Sequence, residues 1–455
     1  MTKGRRVVVT QIAELTITGL NHDGAGVGRL DCGQVVFVPK LLPGETGRVQ
    51  IVSRNRRHLI GRLINRTATS AQRRQEPCIL ADHCGGCSLQ HLSYAGQLET
   101  KHSQLSETLK RIADIGHTPH PVLASSRDLG YRNKATIPLE RLDDGRLKAG
   151  YYRRGSHQIV NMNHCPVLDP RLDALIEPLK LDLERSGWPV DRDLSGSGGL
   201  RHLGLRLGSN SAEVLITLIS SHERLPGLQS LAQHWLQRWS TLVGVVLNLQ
   251  PRAGNALFGE HSTVIAGRDH LLERFCDLEF ELSCDTFFQV NTTQAERVVP
   301  LLLQALPQQP CRLIDAYCGV GTFSLPLAAA GHQVTGLELH PASVARAQRN
   351  AARNGLQDCT HFEQGSVAVN LASALARGAD AVLVDPPRKG LEPAVIETLI
   401  TQLVRTLVYL SCDPATLARD LALLCREGRY RIERIQPLDF FPNTSHIETL
   451  VVLSS

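Results

Sequence analysis

Residues 313–323 read Leu313-Ile314-Asp315-Ala316-Tyr317-Cys318-Gly319-Val320-Gly321-Thr322-Phe323. A short apolar run passes through a glycine-bearing turn into helical periodicity, which predicts a strand–turn–helix unit. Gly319 and Gly321 let the backbone pass close to a ligand. Glu338 closes the next apolar run, 23 residues after Asp315, where an acid suits a pair of ribose hydroxyls. Position 324 is Ser, so the third glycine of a dinucleotide fingerprint is missing. S-adenosylmethionine has no pyrophosphate to cradle and needs only the close approach and the ribose acid.

Working outward, buried-type strands are expected at 312–316, 333–338, 381–384 and 406–410, with helices at 322–330, 341–354, 392–403 and 414–424. This alternation predicts an α/β, Rossmann-like doubly wound parallel sheet over residues 281–455. Residues 71–280 mix strand-like runs (135–139, 213–218, 244–249) with helical ones and a surface loop at 195–199, and read as a central α+β domain. Its first helix is expected at 94–112, with Leu98, Leu105, Leu109 and Ile112 on one stripe. Residues 1–70 show short strands at 14–17, 34–38, 47–52 and 59–64 between glycine-rich turns, the pattern of a small OB-like β-barrel. Residues 67–75 read as a polar linker.

The net charge of +5 is unevenly spread, since residues 1–75 hold 13 Lys and Arg against 4 Asp and Glu. A basic module, with Arg54, Arg56, Arg57, Arg62 and Arg66 near its last strands, suits a polyanion; a solvated basic surface is the plainer reading. No apolar run reaches the roughly 18 residues of a membrane span. A cytoplasmic protein with reduced cysteines is expected.

Leu407-Val408-Tyr409-Leu410-Ser411-Cys412-Asp413-Pro414 places Cys412 between a strand and a helix. A helix N-terminus should favour the thiolate; a buried structural cysteine is the commoner alternative. The chemistry of a uracil C5 decides between them. A thiolate adding to C6 makes C5 nucleophilic, C5 takes the methyl, and a base removes the C5 proton so that the thiolate leaves. Glu448, at the start of the last expected strand, is the candidate base, against a solvated strand-edge glutamate. Asp385-Pro386-Pro387-Arg388 closes another strand at the same sheet edge. In amino-methylating enzymes a similar turn ends in an aromatic that stacks on the base. Arg388 stands there instead, which argues against adenine-N6 chemistry.

Cys78, Cys84 and Cys87, with Cys165 further on, form a three-plus-one set. Such a set can hold an iron–sulfur cluster or a tetrahedral zinc, and the spacing tilts toward the cluster.

These motifs resemble the RNA uracil-5 methyltransferase family, and most nearly its bacterial 23S ribosomal RNA branch, the RumA/RlmD type, over nearly the whole chain. The resemblance implies Cys412 as nucleophile and Glu448 as base. It implies S-adenosylmethionine contacts from Gln289, Tyr317, Thr322, Glu338 and Asp385. It implies a TRAM domain for the barrel, a [4Fe-4S] cluster on Cys78, Cys84, Cys87 and Cys165, and RNA phosphate contacts from Arg132 and Lys134. Phe287 could pack on a flipped base. The partner implied is 23S rRNA, with no membrane, and the protein a monomer. At Gly365-Ser366, relatives often carry a polar or acidic residue, so a cofactor contact there is left open. The same chemistry on a tRNA uridine is the alternative within enzymes. Cytosine-C5 methylation fits less well, because the Asp385-Pro386-Pro387 turn carries no Cys. Outside enzymes, a non-catalytic RNA-binding iron–sulfur sensor should have lost Cys412 or Glu448, and both are present.

Overall fold

The computed structural model describes residues 11–194, 198–254 and 256–455. The surface loop expected at 195–199 falls largely outside these residues.

The first six strands (Ile12–Thr16, Gly19–Leu20, Gly26–Arg29, Val35–Val38, Thr46–Arg54 and Leu59–Ala68) make one sheet in the order first, fifth, sixth, fourth, third, second. Leu15, Ile17, Val36, Val38, Val49, Ile51 and Leu59 fill its interior, while Arg48, Arg54, Arg56, Arg57, Arg62 and Arg66 stay exposed. The expected linker is not free. The last strand runs on to Ala68, Arg73 pairs with the fully buried Glu45 at 2.6 Å, and Arg74 pairs with Asp128 at 2.6 Å. Its polar residues are ion-pair partners, a use that polarity alone does not distinguish from solvation.

The middle of the chain builds a second six-stranded sheet, ordered His261–Gly267, Leu242–Leu249, Val214–Ser220, Leu200–Leu207, Lys134–Arg141, Leu147–Ala149. Helices Pro170–Arg185 and Leu228–Arg238 cover its apolar face. Helix Tyr94–Ala113 does not join it. Leu105 and Leu109 pack into the core of the C-terminal sheet, beside helix Pro414–Leu424. The buried face of that helix is Gly96, Gln97, Lys101, Leu105 and Leu109, and Ile112 is exposed. The predicted apolar stripe is therefore rotated, because two polar side chains, Gln97 and Lys101, are buried with partners.

The C-terminal sheet has seven strands, ordered Thr360–Gln364, Gln333–Glu338, Arg312–Ala316, Ala381–Val384, Thr406–Ser411, Glu448–Ser454, Arg431–Leu438. Both faces are covered. Leu313, Leu383, Val408 and Leu450 enter one core, and Ile314, Val382, Leu407 and Val451 enter the other. Burial on both sides is why these strands read as unbroken apolar runs. The first five strands are parallel. The expectation of a wholly parallel sheet fails at the last strand, which runs antiparallel to both its neighbours. Strand Arg431–Leu438 reaches Glu448–Ser454 through a connection with no crossover helix, and only an antiparallel neighbour can be reached that way.

Candidate active site

In an open α/β sheet, ligands bind beyond the carboxyl ends of the strands where the winding reverses. Ala316 pairs with Leu337 on one side and Val384 on the other. Tyr317, Glu338 and Asp385, each the next residue along, therefore share one rim. Tyr317 is held at φ 70°, and Gly319 and Gly321 at 57° and 85°, so the turn folds back under the rim. A Cβ on Gly321 would also press on Leu325 at 3.1 Å. Glu338 accepts hydrogen bonds from the Gly319 N–H at 3.0 Å and the His340 N–H at 2.7 Å, which aims its carboxylate along the turn. Thr322 is buried in the same turn.

Cys412 joins this rim from strand Thr406–Ser411. Ser411 pairs with Thr449 across the antiparallel strand, so the adjoining residues, Cys412 and Glu448, leave the sheet side by side. A parallel last strand would have put its first residue at the opposite end. The reversed strand is thus what brings the candidate base to the candidate nucleophile.

The electrostatics correct one expectation. Burial pushes the Cys412 thiol up to about 12, Glu448 and Asp385 add to the rise, and only Arg388 pulls against it. The helix N-terminus does not lower it. The free Ala415 and Thr416 N–H groups donate to the Asp413 carboxylate at 3.0 and 2.9 Å, so the cap and not the sulfur takes their charge. Burial also raises Asp385 to about 8, with Asp315 contributing. Asp315 rises to about 7 through burial, although Ser324 donates to it at 2.5 Å. Burial holds Glu448 well above the carboxylate range, again with Asp385 contributing. Asp315, Asp385 and Glu448 are thus raised together, and Arg388 is the guanidinium that pulls against the rise at Glu448 and Cys412.

A stability prediction follows. A carboxyl raised from 3.8 to about 8 binds its proton more tightly folded than unfolded, so its contribution to stability is full below pH 3.8 and is lost as pH rises toward 8. Asp385→Asn should therefore melt higher than wild type, by roughly 2 °C or more at pH 8, with the gap shrinking toward pH 4. Melting curves over that range check it, and a variant that melts lower at pH 8 refutes the assignment of strain to this acid.

Gln289 is buried on the loop after hairpin His270–Phe275 and Leu278–Ser283. That loop is held by a residue the sequence reading passed over. The Asn133 amide donates to the Gln289 carbonyl at 3.1 Å and to the Thr292 hydroxyl at 2.9 Å. It stands between two cations that drew the attention, and a lone amide carries no charge signal. Phe287 is 61% exposed, free for stacking. Arg388 and His446 meet at 3.4 Å at the mouth.

Arg132 and Lys134 are not brought to this rim together. Arg132 lines the cysteine cavity. Lys134 turns inward, over the Phe258 ring and beside the Cys284 and Thr286 carbonyls at 3.5 Å each, and burial brings it down to about 7. The RNA contact that the family resemblance implies for Lys134 thus falls on a side chain packed against its own protein.

Cys78, Cys84, Cys87 and Cys165 do come together, lining one cavity of about 230 Å³ with Tyr131, Tyr151 and Thr444. Among the described residues no group of three or more His, Cys, Asp or Glu is set tightly enough to hold a metal ion.

Comparison with known proteins shows the family. A family described as tRNA (uracil-5-)-methyltransferase matches residues 93–455, and the TRAM domain matches residues 6–64. A Parasynechococcus marenigrum protein named uncharacterized RNA methyltransferase is 52% identical over 97% of this chain and 95% of its own length. A Synechocystis protein of the same description is 46% identical over 98% and 96%. The crystal structure of Pyrococcus abyssi tRNA (uracil-54, C5)-methyltransferase in complex with S-adenosyl-L-homocysteine superposes with a TM-score of 0.77 at 28% identity, covering 97% of this chain and all of that one. With that family matched over residues 93–455 and relatives of 52% and 46% identity along nearly the whole chain, the protein belongs to the S-adenosylmethionine-dependent RNA uracil-5 methyltransferase family and carries a TRAM domain.

Proposed function

We propose that this enzyme methylates C5 of a uridine in 23S ribosomal RNA. The observation that carries the chemistry is the Ser411–Thr449 register, which sets Cys412 beside Glu448 at the rim shared with Asp385. Tyr317, Thr322, Glu338, Asp385 and Gln289 would hold the methyl donor, which would supply a sulfonium as the source of the methyl group and a positive charge. Arg388 and that added positive charge favour the Cys412 thiolate. The sulfur adds to C6, and C5 then forms a bond to the methyl carbon as the carbon–sulfonium bond breaks. Arg388, which pulls the Glu448 carboxyl down against burial, and the donor's positive charge favour its ionised form. As a carboxylate Glu448 takes the C5 proton, and the electron pair of that C–H bond expels the Cys412 thiolate. The exposed barrel arginines hold the phosphate backbone, and Phe287 stacks on the flipped base. The working partition is a barrel over 1–70, a central domain over 71–280 and the methyltransferase domain over 281–455. We take it to act as a cytoplasmic monomer; no helix among the described residues is long and apolar enough to cross a membrane.

The cysteine cavity is read as a [4Fe-4S] site whose four thiols, not set tightly enough to hold a metal as they stand, would close around the cluster on binding. Three features support this. Four thiols line one cavity, and the Tyr151 hydroxyl is buried there without a partner. Burial also pushes Cys87 to about 12 and Cys165 to about 11, so these sulfurs need a positive centre to ionise. Bound there, a cluster supplies that charge and ties residue 165 to the 78–87 loop.

The second reading is a tRNA uridine. It is favoured by the Pyrococcus relative, whose substrate is a tRNA. The cysteine set favours ribosomal RNA, because the tRNA branch of the family it resembles typically lacks one. One experiment addresses both parts: anaerobic purification, metal analysis, then transfer of labelled methyl groups to 23S rRNA and tRNA transcripts. Iron at about four per chain and label in the 23S transcript are expected. Stoichiometric zinc overturns the cluster, and label in tRNA alone overturns the ribosomal target.

A further inference from the structure

Segment 439–447 leads into Glu448, and it is fastened to the cysteine loop. Asn443 is completely buried and sits at φ 68°, in the left-handed region that Asn tolerates better than most residues. Its carbonyl accepts from the Ser88 and Leu89 N–H groups at 3.0 and 2.9 Å, directly after Cys87. Its N–H donates to Gln97 at 2.7 Å. Its amide donates to the Asp128 carbonyl at 2.5 Å and accepts from Arg74 at 2.5 Å. Two residues on, the Ser445 N–H donates to the Ser88 hydroxyl at 3.1 Å, and between them Thr444 lines the cysteine cavity. The start of the segment is pinned as well, by the buried Lys101–Asp439 pair at 2.6 Å and by Tyr131 donating to the Pro442 carbonyl at 3.0 Å. The barrel reaches the same point: a Cβ on Gly24 would lie 2.9 Å from Leu89 and 3.2 Å from Ser88. Barrel turn, cysteine loop and the lead-in to Glu448 therefore meet at one residue.

We propose that Asn443 is a positioning residue for Glu448, and that the cysteine loop acts on catalysis through it, by setting where the last strand begins. This rests on Glu448 being the base. Cys412 and the cofactor turn are placed by other strands, so the addition step is independent of Asn443 and the elimination step is not. A carboxylate displaced by about 1 Å loses on the order of 10²-fold in rate.

The test gives full-length wild type and Asn443→Gly, which keeps the backbone conformation and removes the amide, two RNA transcripts with S-adenosylmethionine. One carries 5-fluorouridine, which stalls after addition because its C5 has no proton to lose; the other carries uridine. The variant should form the fluorinated adduct within about twofold of the wild-type rate. On uridine RNA it should turn over on the order of 10²-fold more slowly and accumulate a covalent protein–RNA band. Equal losses in adduct formation and turnover, or unchanged turnover, overturn the proposal. Should Asn443→Gly not fold, Ser88→Ala decides in its place: the same split, smaller in size, supports the proposal, and a proportional loss or no change overturns it. A wild type that makes no fluorinated adduct overturns the underlying mechanism as well. A failure of the positioning role alone leaves that wild-type adduct intact.

Discussion

Cys412→Ser should lose methyl transfer by on the order of 10⁴-fold or more, and should form no SDS-stable adduct with 5-fluorouridine RNA. The reason lies in the site's charge. A thiol pushed up to about 12 by burial and three acids is already hard to ionise, and in the proposed mechanism Arg388 and an incoming sulfonium offset this. A serine hydroxyl starts several units higher, and the same two positive charges cannot close that gap. A 10⁴-fold loss corresponds to about 5.5 kcal/mol of transition-state stabilisation. The substitution removes little volume from a half-buried strand end, so the melting temperature should hold. Single-turnover methylation with labelled donor measures the effect, and a serine variant within tenfold of wild type would end the covalent mechanism.

The second large effect belongs to Glu448→Gln. Removing a general base slows its step by about 10²–10⁴-fold, and here the step is elimination, after the methyl has been transferred. The variant should therefore trap methylated RNA on Cys412 as a covalent complex visible on a denaturing gel. Gln keeps the shape and removes a carboxyl that burial and Asp385 hold well above its ordinary range, so the fold should gain stability at neutral pH. Stability and activity are expected to move in opposite directions, which separates a chemical role from a structural one. Rapid turnover with no trapped complex would pass the proton to another group.

Strands Arg312–Ala316, Gln333–Glu338, Ala381–Val384 and Thr406–Ser411 were legible because they are mostly buried apolar runs bounded by turns, whereas Thr360–Gln364 and the first half of Arg431–Leu438 are polar and partly exposed and gave no such run. The Cys412 turn was legible because Pro414 and the apolar spacing after it mark a helix start. What escaped the reading has one cause: it depends on partners distant in sequence. The direction of strand Glu448–Ser454 is set by its neighbours and not by its own residues. The stripe expected on helix Tyr94–Ala113 missed Gln97 and Lys101 because their partners, Asn443 and Asp439, lie more than three hundred residues away. The inward setting of Lys134 was not visible because nothing near it in the chain announces Arg206 and Phe258. The thiol of Cys412 read as activated because the Asp413 cap and the pair of distant acids were not visible together.

The reversed last strand also limits what insertions the gene can accept. In strand Glu448–Ser454, Leu450 serves one oily layer and Val451 and Leu453 the other, so a slip of one position would exchange hydrocarbon for hydrocarbon at most core slots and bring a single hydroxyl, of Thr449 or Ser454, into one of them. The same slip would turn Thr449 toward the sulfur and carry the carboxylate to the far side of the sheet. Adding or deleting one codon between 443 and 448 should therefore yield a well-folded protein with a silent reaction centre. The length of that short lead-in is a constraint imposed by chemistry where packing is nearly indifferent.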